Sequence, residues 1–348
     1  MGLCRLLLNA KQFVIVLGRF VMDMFRKRDV IAAIYREGGF SKAAKKLHIA
    51  QPSLSVMVSG VEQEIGAQLF DRSVSPVRLT KIGEKYLECC DNISMIEEDF
   101  LNYLNDIHGL EIGEISIGGS ALYISNIVPL ILSEFSQRHP SIKIQLYDMD
   151  TPALIRMIQS GDLDVAIDNF PSNVEKLDRH YLGTELLLIA VPRDYGINEN
   201  LRAHAYSYED IIKGMHVART KPYLENMRAF NDQPFILLQE SFDTRKRCDA
   251  VFEDYGIKVR AAYELNQLQS AFGMASSGLG ITVISDTVIR QSEYSAANMY
   301  YYSVRSPEFI RDVYYYTRKN RMLSKDLQEF LDISHDMRLL TLRRGVSS

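Results

Sequence analysis

Eight apolar residues, Ile82, Tyr86, Cys89, Ile93, Ile96, Phe100, Tyr103 and Ile107, follow one another at steps of 4, 3, 4, 3, 4, 3 and 4. A repeat averaging 3.5 residues draws one apolar seam along a single helix. An isolated helix between two domains has little intrachain surface against which to bury such a seam. The spacing therefore predicts pairing with a second copy of the chain, in preference to packing against the chain's own body. Thr80 is a candidate N-cap and Gly113 a breaker, which predicts a linker helix over residues 81–110 and a homodimer formed through 81–108. The rest of the chain lies before or after this helix, and the two parts are patterned differently.

Charge separates them first. The 348 residues carry a net charge of −4, yet nine basic and six acidic residues between 22 and 80 leave that segment at +3 and the remainder at −7. A basic front and an acidic body suit a DNA-binding module joined to a non-binding one. Solvated lysines on a small helical domain would give the same balance, and periodicity alone favours neither. Cys4, Cys89, Cys90 and Cys248 have neither metal-site nor disulfide spacing and read as reduced cytosolic thiols. The seven histidines are scattered, so no metal is expected. No apolar run approaches the length of a membrane span. Residues 1–23 contain the apolar runs Leu6–Leu8 and Phe13–Leu17, but Asn9–Gln12 interrupt them and no small-residue cleavage site follows. They read as an extension upstream of the natural start rather than as a targeting segment.

Before the linker, Phe25, Val30, Ile31, Ile34 and Tyr35 form one helical face that ends at Gly38-Gly39. Ser41 is placed to cap a second helix, Ser41–Leu47, whose Ala43 and Ala44 let a third helix cross closely. Pro52 suits the first turn of that third helix, where its missing N–H costs nothing. Leu54, Val58, Val61, Ile65 and Leu69 give it a core-facing stripe, leaving Ser53, Ser55, Val56 and Ser59 outward. Helix, tight turn, helix is the helix-turn-helix pattern. LFDRSVSPVRLTKIG (69–83) then reads as a two-stranded wing turning at Ser75-Pro76, with Arg72 and Arg78 placed to hold phosphates.

After the linker an α/β rhythm sets in. Strands are expected at 113–119, 141–149 and 164–168, with helices over 124–139 and 152–160 between them. A strand around 185–192 precedes a second round: strand and helix within 234–247, then strand, helix and strand within 261–284. Two further strands (299–303, 312–317) and a helix (323–335) end the reading. Ligands of such sheets bind beyond the strands' carboxyl ends, where the loops holding Ser120, Thr151 and Asn169 fall. Ser120 and Thr151 precede helices, so anion binding and plain capping both fit, capping being the commoner role. Ser277-Gly278-Leu279-Gly280 lies between helix and strand, the wrong order for a phosphate loop, and reads as a C-cap.

Ala43-Ala44, LHIAQPSLS, VEQEIGAQLFDR and LTKIG, in this order and spacing, resemble the N-terminal domain of LysR-type transcriptional regulators. GEISIGGS, IVPLILSEFSQRHPSIKIQLYD, LIRMIQSGDLDVAI and SSGLGITVI resemble the effector domain of the same family, so the likeness spans about residues 24–320. The resemblance implies a winged helix-turn-helix over 24–80, the linker helix, and a two-lobed α/β effector domain of periplasmic-binding-protein type 2 over 113–340, with crossings near 185–192 and 280–300. It carries DNA contacts onto Gln51, Pro52, Ser55 and Arg72, and effector contacts onto Ser120, Thr151, Asn169, Glu240 and Ser241. Family members often have Arg-Gln where this chain has Val56-Met57. Phosphate affinity would then come from Lys42, Lys45, Lys46, Arg72 and Arg78. Base edges would be read by Gln51, Ser53 and Ser55, and Val56 would press on a thymine methyl.

The expected function is an effector-controlled, sequence-specific DNA-binding regulator, with double-stranded DNA and a small effector as partners. The family usually builds tetramers, and the resemblance admits RNA polymerase as a partner. No cofactor, no membrane and a cytoplasmic location are expected. No arginine is evident in the effector loops, which leans towards an amino-acid-like or mono-anionic effector. The second half alone would permit a solute-binding protein, which has no use for residues 26–80. An enzyme is the least favoured reading, since no nucleophile elbow, metal cluster or carboxylate pair can be placed.

Overall fold

The computed structural model describes residues 24–340 apart from Ser75, 109–112, 172–173 and 338. The N-terminal extension and half of the wing turn therefore lie outside the described residues. The chain forms two compact units, one ending at Leu101 and the other beginning at Asn102.

In the first unit, α1 (Arg28–Glu37) ends at Gly38, whose φ of +68° is the left-handed cap that glycine adopts without a side-chain clash. Helix α2 (Phe40–Lys46) follows directly. Gly39, in extended backbone, is its N-cap, so Ser41 lies inside the helix and does not cap it as expected. His48 turns the chain with φ +55°, and α3 (Gln51–Ile65) begins with Pro52 in its first turn. Ala43 and Ala44 are buried against Leu54, Val58 and Val61, so the stripe of α3 forms the core between the helices. Strands β1 (Phe70–Asp71) and β2 (Arg78–Leu79) pair antiparallel as the wing.

Helix α4 (Lys81–His108) starts at Thr80, whose Oγ1 accepts from the Gly83 amide (3.0 Å) and donates to the Gln68 carbonyl (2.7 Å). A Cβ at Gly83 would lie 2.0 Å from the Leu69 carbonyl oxygen, so only glycine lets α4 approach the wing this closely. Tyr86, expected in the seam for a second copy, instead stacks on Phe25 and with Leu87 and Cys90 closes the core of this unit, because the start of α4 lies against the helices before it. Further along, Ile96, Phe100, Leu101 and Tyr103 are all more than half exposed.

The second unit is built on one curled sheet of mixed direction. Strand β3 (Glu114–Gly119) pairs in parallel with β4 (Lys143–Asp148) and β5 (Val165–Asp168). Between them lie α5 (Ala121–Asn126), α6 (Val128–Arg138) and α7 (Thr151–Ser160). The single helix expected over 124–139 is broken at Ile127, because Pro129 has no N–H to continue the ladder and α6 restarts with it in its first turn. Strand β6 (Leu177–Pro192) is much longer than the 185–192 expected. It is followed by α8 (Ile197–Leu201), α9 (Tyr208–Ile212), β7 (Pro234–Leu238), α10 (Asp243–Asp254), β8 (Arg260–Leu265), α11 (Leu268–Ser276) and β9 (Thr282–Ser285). Next come α12 (Asp286–Gln291), α13 (Glu293–Ala296), β10 (Met299–Tyr302), β11 (Ile310–Arg318) and α14 (Lys325–Asp336).

Residues 177–186 of β6 pair with β11, while residues 187–192 pair with β9 and β10. The first half of β6 thus belongs to a lobe with β3, β4, β5 and β11, and its second half to a lobe with β9 and β10. Strands β7 and β8 join the second lobe through the Ile236 amide on the Ile281 carbonyl (2.8 Å). The chain leaves the first lobe at Leu186/Leu187 and returns between Tyr302 and Ile310. That return lies beyond the 280–300 expected, because β9 and β10 both need β6 as their ladder partner.

Candidate functional site

In the first unit, the surface at the start of α3 is made by consecutive residues. Gln51, Pro52, Ser53 and Val56 are exposed, Val56 to 71%, while Ser55 is half-buried and its Oγ accepts from Gln51 Nε2 at 3.0 Å. Lys42 on α2 and Arg78 on β2 are exposed as well. Arg72 is differently placed. Its Nη2 donates to Glu62 Oε2 (2.8 Å), and its guanidinium lies 4.9 Å from the Phe40 ring centroid. The other Glu62 oxygen accepts from the Leu69 and Phe70 amides (2.9 and 3.3 Å), so this pair fixes the end of α3 to the root of the wing. Anchoring is therefore part of what Arg72 does, beyond the phosphate contact expected of it.

In the second unit, a cavity of ≈ 140 Å³ lies between the lobes. Ser120, Thr151 and Asn169 stand in its wall, at the carboxyl ends of β3, β4 and β5. Asp150 caps α7 by accepting from the Ala153 amide (2.8 Å), which places Thr151 one residue inside the helix and frees its hydroxyl to donate to Asp168 Oδ2 (3.1 Å). Glu240 and Ser241 do not line the cavity. The Phe242 amide folds back onto the Gln239 carbonyl (3.1 Å), leaving those two exposed at the apex while Phe242 and the first turn of α10 face inward.

Sequence reasoning also missed the charged part of the wall. Arg311, on β11 rather than on a loop, lines the cavity and is 5% exposed. It sits directly across the ladder from Glu185, at the point where β6 passes from one lobe to the other. Its Nε donates to Glu185 Oε1 (2.6 Å) and its Nη1 to Thr244 Oγ1 (3.1 Å), with Asp243 Oδ2 at 3.5 Å. Fully buried Glu185 also accepts from the hydroxyls of Tyr123 (2.6 Å) and Ser285. Burial alone would lower the Arg311 pKa, but Glu185 and its neighbours more than offset this and hold it above its ordinary value.

Asp168 and Asp243 complete the charged wall. Burial pushes the Asp168 carboxyl up to about 6, against the opposing pull of the Asn169 amide (2.8 Å) and the Thr151 hydroxyl. Asp243 is nearly half exposed; its partial burial works against the charge, yet Arg311 and Arg247 bring its carboxyl below the usual range. Asn169 Nδ2 donates to Asp243 Oδ2 (2.9 Å), linking the lobes beside the cavity. A legible signal exists for Arg311: in IRDVYYYTR it falls in phase with Val313 and Tyr315, on the buried side of an alternating strand. A charge at such a position is either paired or functional.

Residues 25–84 match the family model described as "Bacterial regulatory helix-turn-helix protein, lysR family", and residues 108–338 match "LysR substrate binding domain". The HTH-type transcriptional regulator YcgK of Bacillus subtilis (strain 168) is 29% identical over 320 residues, 90% of this chain and 94% of that protein. The HTH-type transcriptional regulator BenM of Acinetobacter baylyi is 25% identical over 282 residues, 81% of this chain and 86% of that protein. Among solved structures, a full-length single-site variant of OxyR from Pseudomonas aeruginosa shares the fold with a TM-score of 0.58 at 21% identity, covering 90% of this chain and 97% of that one.

Proposed function

The chain belongs to the LysR family of bacterial transcriptional regulators, and from that premise we propose that the cavity between its lobes holds the effector, whose binding alters the geometry in which paired α3 helices meet DNA. A DNA-binding domain and an effector-binding domain in one chain make it a DNA-binding regulator, and the solute-binding alternative falls with the match of residues 25–84. This reading assigns the chain no reaction.

The observation that carries the proposal is that both lobes wall the cavity. Ser120, Thr151 and Asp168 come from one lobe, and Phe242, Asp243 and Gln267 from the other. An occupant must therefore make different contacts when the lobes close or part, and that difference in affinity is what shifts an equilibrium between two arrangements. In the DNA-binding unit, α3 enters the major groove, with Gln51, Pro52, Ser53 and Ser55 at base edges and Val56 against a thymine methyl. Lys42 and Arg78 hold phosphates, and Arg72 holds a phosphate from a position already fixed by Glu62. The exposed seam of α4 calls for a second copy, and two copies present two α3 helices to an operator of two-fold character.

A gel-shift titration over a series of salt concentrations, on the DNA immediately upstream of the coding region, tests the reading. Retardation that weakens linearly in log–log form with salt is expected. A folded protein that retards nothing at low salt would sink it.

A further inference from the structure

On the premise that the cavity is the effector site, we infer that it selects a small zwitterion: the effector's ammonium group faces Asp168, and its carboxylate faces the first turn of α11. Purely anionic molecules of the same size are turned away.

The charges in the wall differ in the partners they already have. Arg311 looks like an anion receptor, but two of its three nitrogens are engaged, Nε by Glu185 and Nη1 by Thr244, with Asp243 3.5 Å from Nη1. Asp243 in turn pairs with Arg247 (2.8 Å) and accepts from Asn169 (2.9 Å). Asp168 differs from both. It is 2% exposed, accepts only from the Thr151 hydroxyl and the Asn169 amide, and has no Lys or Arg within ion-pair distance among the described residues. Burial of this carboxylate is costly: it outweighs the two hydrogen bonds and the nearby charge of Arg311, and the raised pKa records that cost. An ammonium group relieves it, whereas a second anion in the same cavity adds to it.

The opposite requirement stands across the cavity. Helix α11 begins in the wall, and Gln267 at its N-cap extends no side-chain bond to the first turn. Unfilled N–H groups at a helix start attract a carboxylate, and the Asn266, Gln267 and Gln269 side chains offer further amides in the wall. The volume of ≈ 140 Å³ sets the size. A closed cavity of about 150 Å³ admits benzene, so an occupant of roughly six to eight non-hydrogen atoms fills this open one. Alanine, serine, β-alanine and 4-aminobutyrate are of this size and carry both charges.

Titration calorimetry on the full-length protein at pH 8 tests the assignment with these four compounds, their deaminated acids (propionate, 3-hydroxypropionate, butyrate) and decarboxylated amines (ethylamine, ethanolamine, propylamine). At least one zwitterion is expected to bind tenfold or more tightly than its singly charged counterparts. Asp168→Asn should weaken it at least tenfold and leave binding of the acids unchanged or improved.

The wild-type protein provides the same contrast without a substitution, by lowering pH from 8 to 5. Of the groups around Asp168, Arg311 is held above its ordinary value, Asp243 below, and burial pushes Tyr123 and Tyr316 up. Affinity should therefore fall as Asp168 takes up its proton. If an acid binds most tightly, and Asp168→Asn tightens it further, the charge assignment is overturned while the effector pocket stands. If none of the three classes binds, and the DNA is still retarded, the effector pocket falls with it.

Discussion

The start of α3 presents its surface from neighbouring positions, Gln51 to Val56, whereas the cavity gathers its wall from segments as far apart as Ser120 and Arg311. The exposed α3 residues have little to do with holding their unit together: Val56 is 71% exposed, and the core beneath is made by Leu54, Val58 and Val61. The cavity residues are bound into the fold. Arg311 pairs across the ladder with Glu185, and Asp168 is buried with no ion pair among the described residues. A binding surface added to the outside of a core can change freely. One built from the core's own polar groups ties recognition to stability.

The largest test of that contrast is Arg311→Met, which strands the Glu185 carboxylate and should cost about 3–5 kcal/mol in urea unfolding of the full-length protein. Val56→Ala in the same assay should cost less than about 0.5 kcal/mol. Adding Glu185→Leu to Arg311→Met should recover part of the loss, because the stranded charge is removed while the Tyr123 and Ser285 hydroxyls lose their acceptor. Comparable losses for Arg311→Met and Val56→Ala would remove the distinction.

The seam on α4 should behave like the α3 surface, with one difference of consequence. Ile96→Glu with Phe100→Glu should leave the unfolding of each unit unchanged and weaken self-association. Burying two such side chains contributes about 3 kcal/mol or more, roughly a hundredfold in the dimer Kd by sedimentation. An unaltered dimer would place the interface elsewhere.

Asp168→Asn should act with the opposite sign. The folded carboxyl ionises only above about 6, the unfolded one near 3.8. The folded state keeps the extra proton between those values, so its stability falls as pH rises through that window. Without ligand, the variant should be more stable than the wild type at pH 8, by an amount on the order of 2 kcal/mol. The advantage should shrink below pH 6 and be gone near pH 4. A thermal melt at three pH values suffices, and a variant less stable at pH 8 would refute the account.

The smallest effects belong to the DNA contacts. Ser55→Ala should reduce discrimination at one base pair by about 1 kcal/mol in competition gel shifts, with little change on random DNA. Arg72→Ala should weaken binding to every sequence alike and lower the salt slope by about 1. It should also destabilise the unit slightly by freeing Glu62. Altered sequence preference without a change in slope would make Arg72 a base reader.

These differences also explain what the sequence discloses. Periodicity marks a helix face whose outward positions can be counted, and it marks strands whose carboxyl ends face a cleft, which is what singles out Ser120, Thr151 and Asn169. It does not tell which way a loop apex points, and so Glu240 and Ser241 are expected where Phe242 and Asp243 stand. Nor does it show that Arg311 and Glu185, more than a hundred residues apart, share one rung of a ladder. The helix break at Ile127 is legible in Pro129, but the apolar spacing that runs through it hides the break.

Strand β6 gives its first ten residues to β11 and its last six to β9 and β10. Neither lobe can melt alone without stripping hydrogen bonds from a strand that the other still holds. The two lobes are therefore bound to unfold as a single cooperative unit, and any opening of the cleft must be a twist of β6 and of the return segment after Tyr302 rather than a loosening of either lobe.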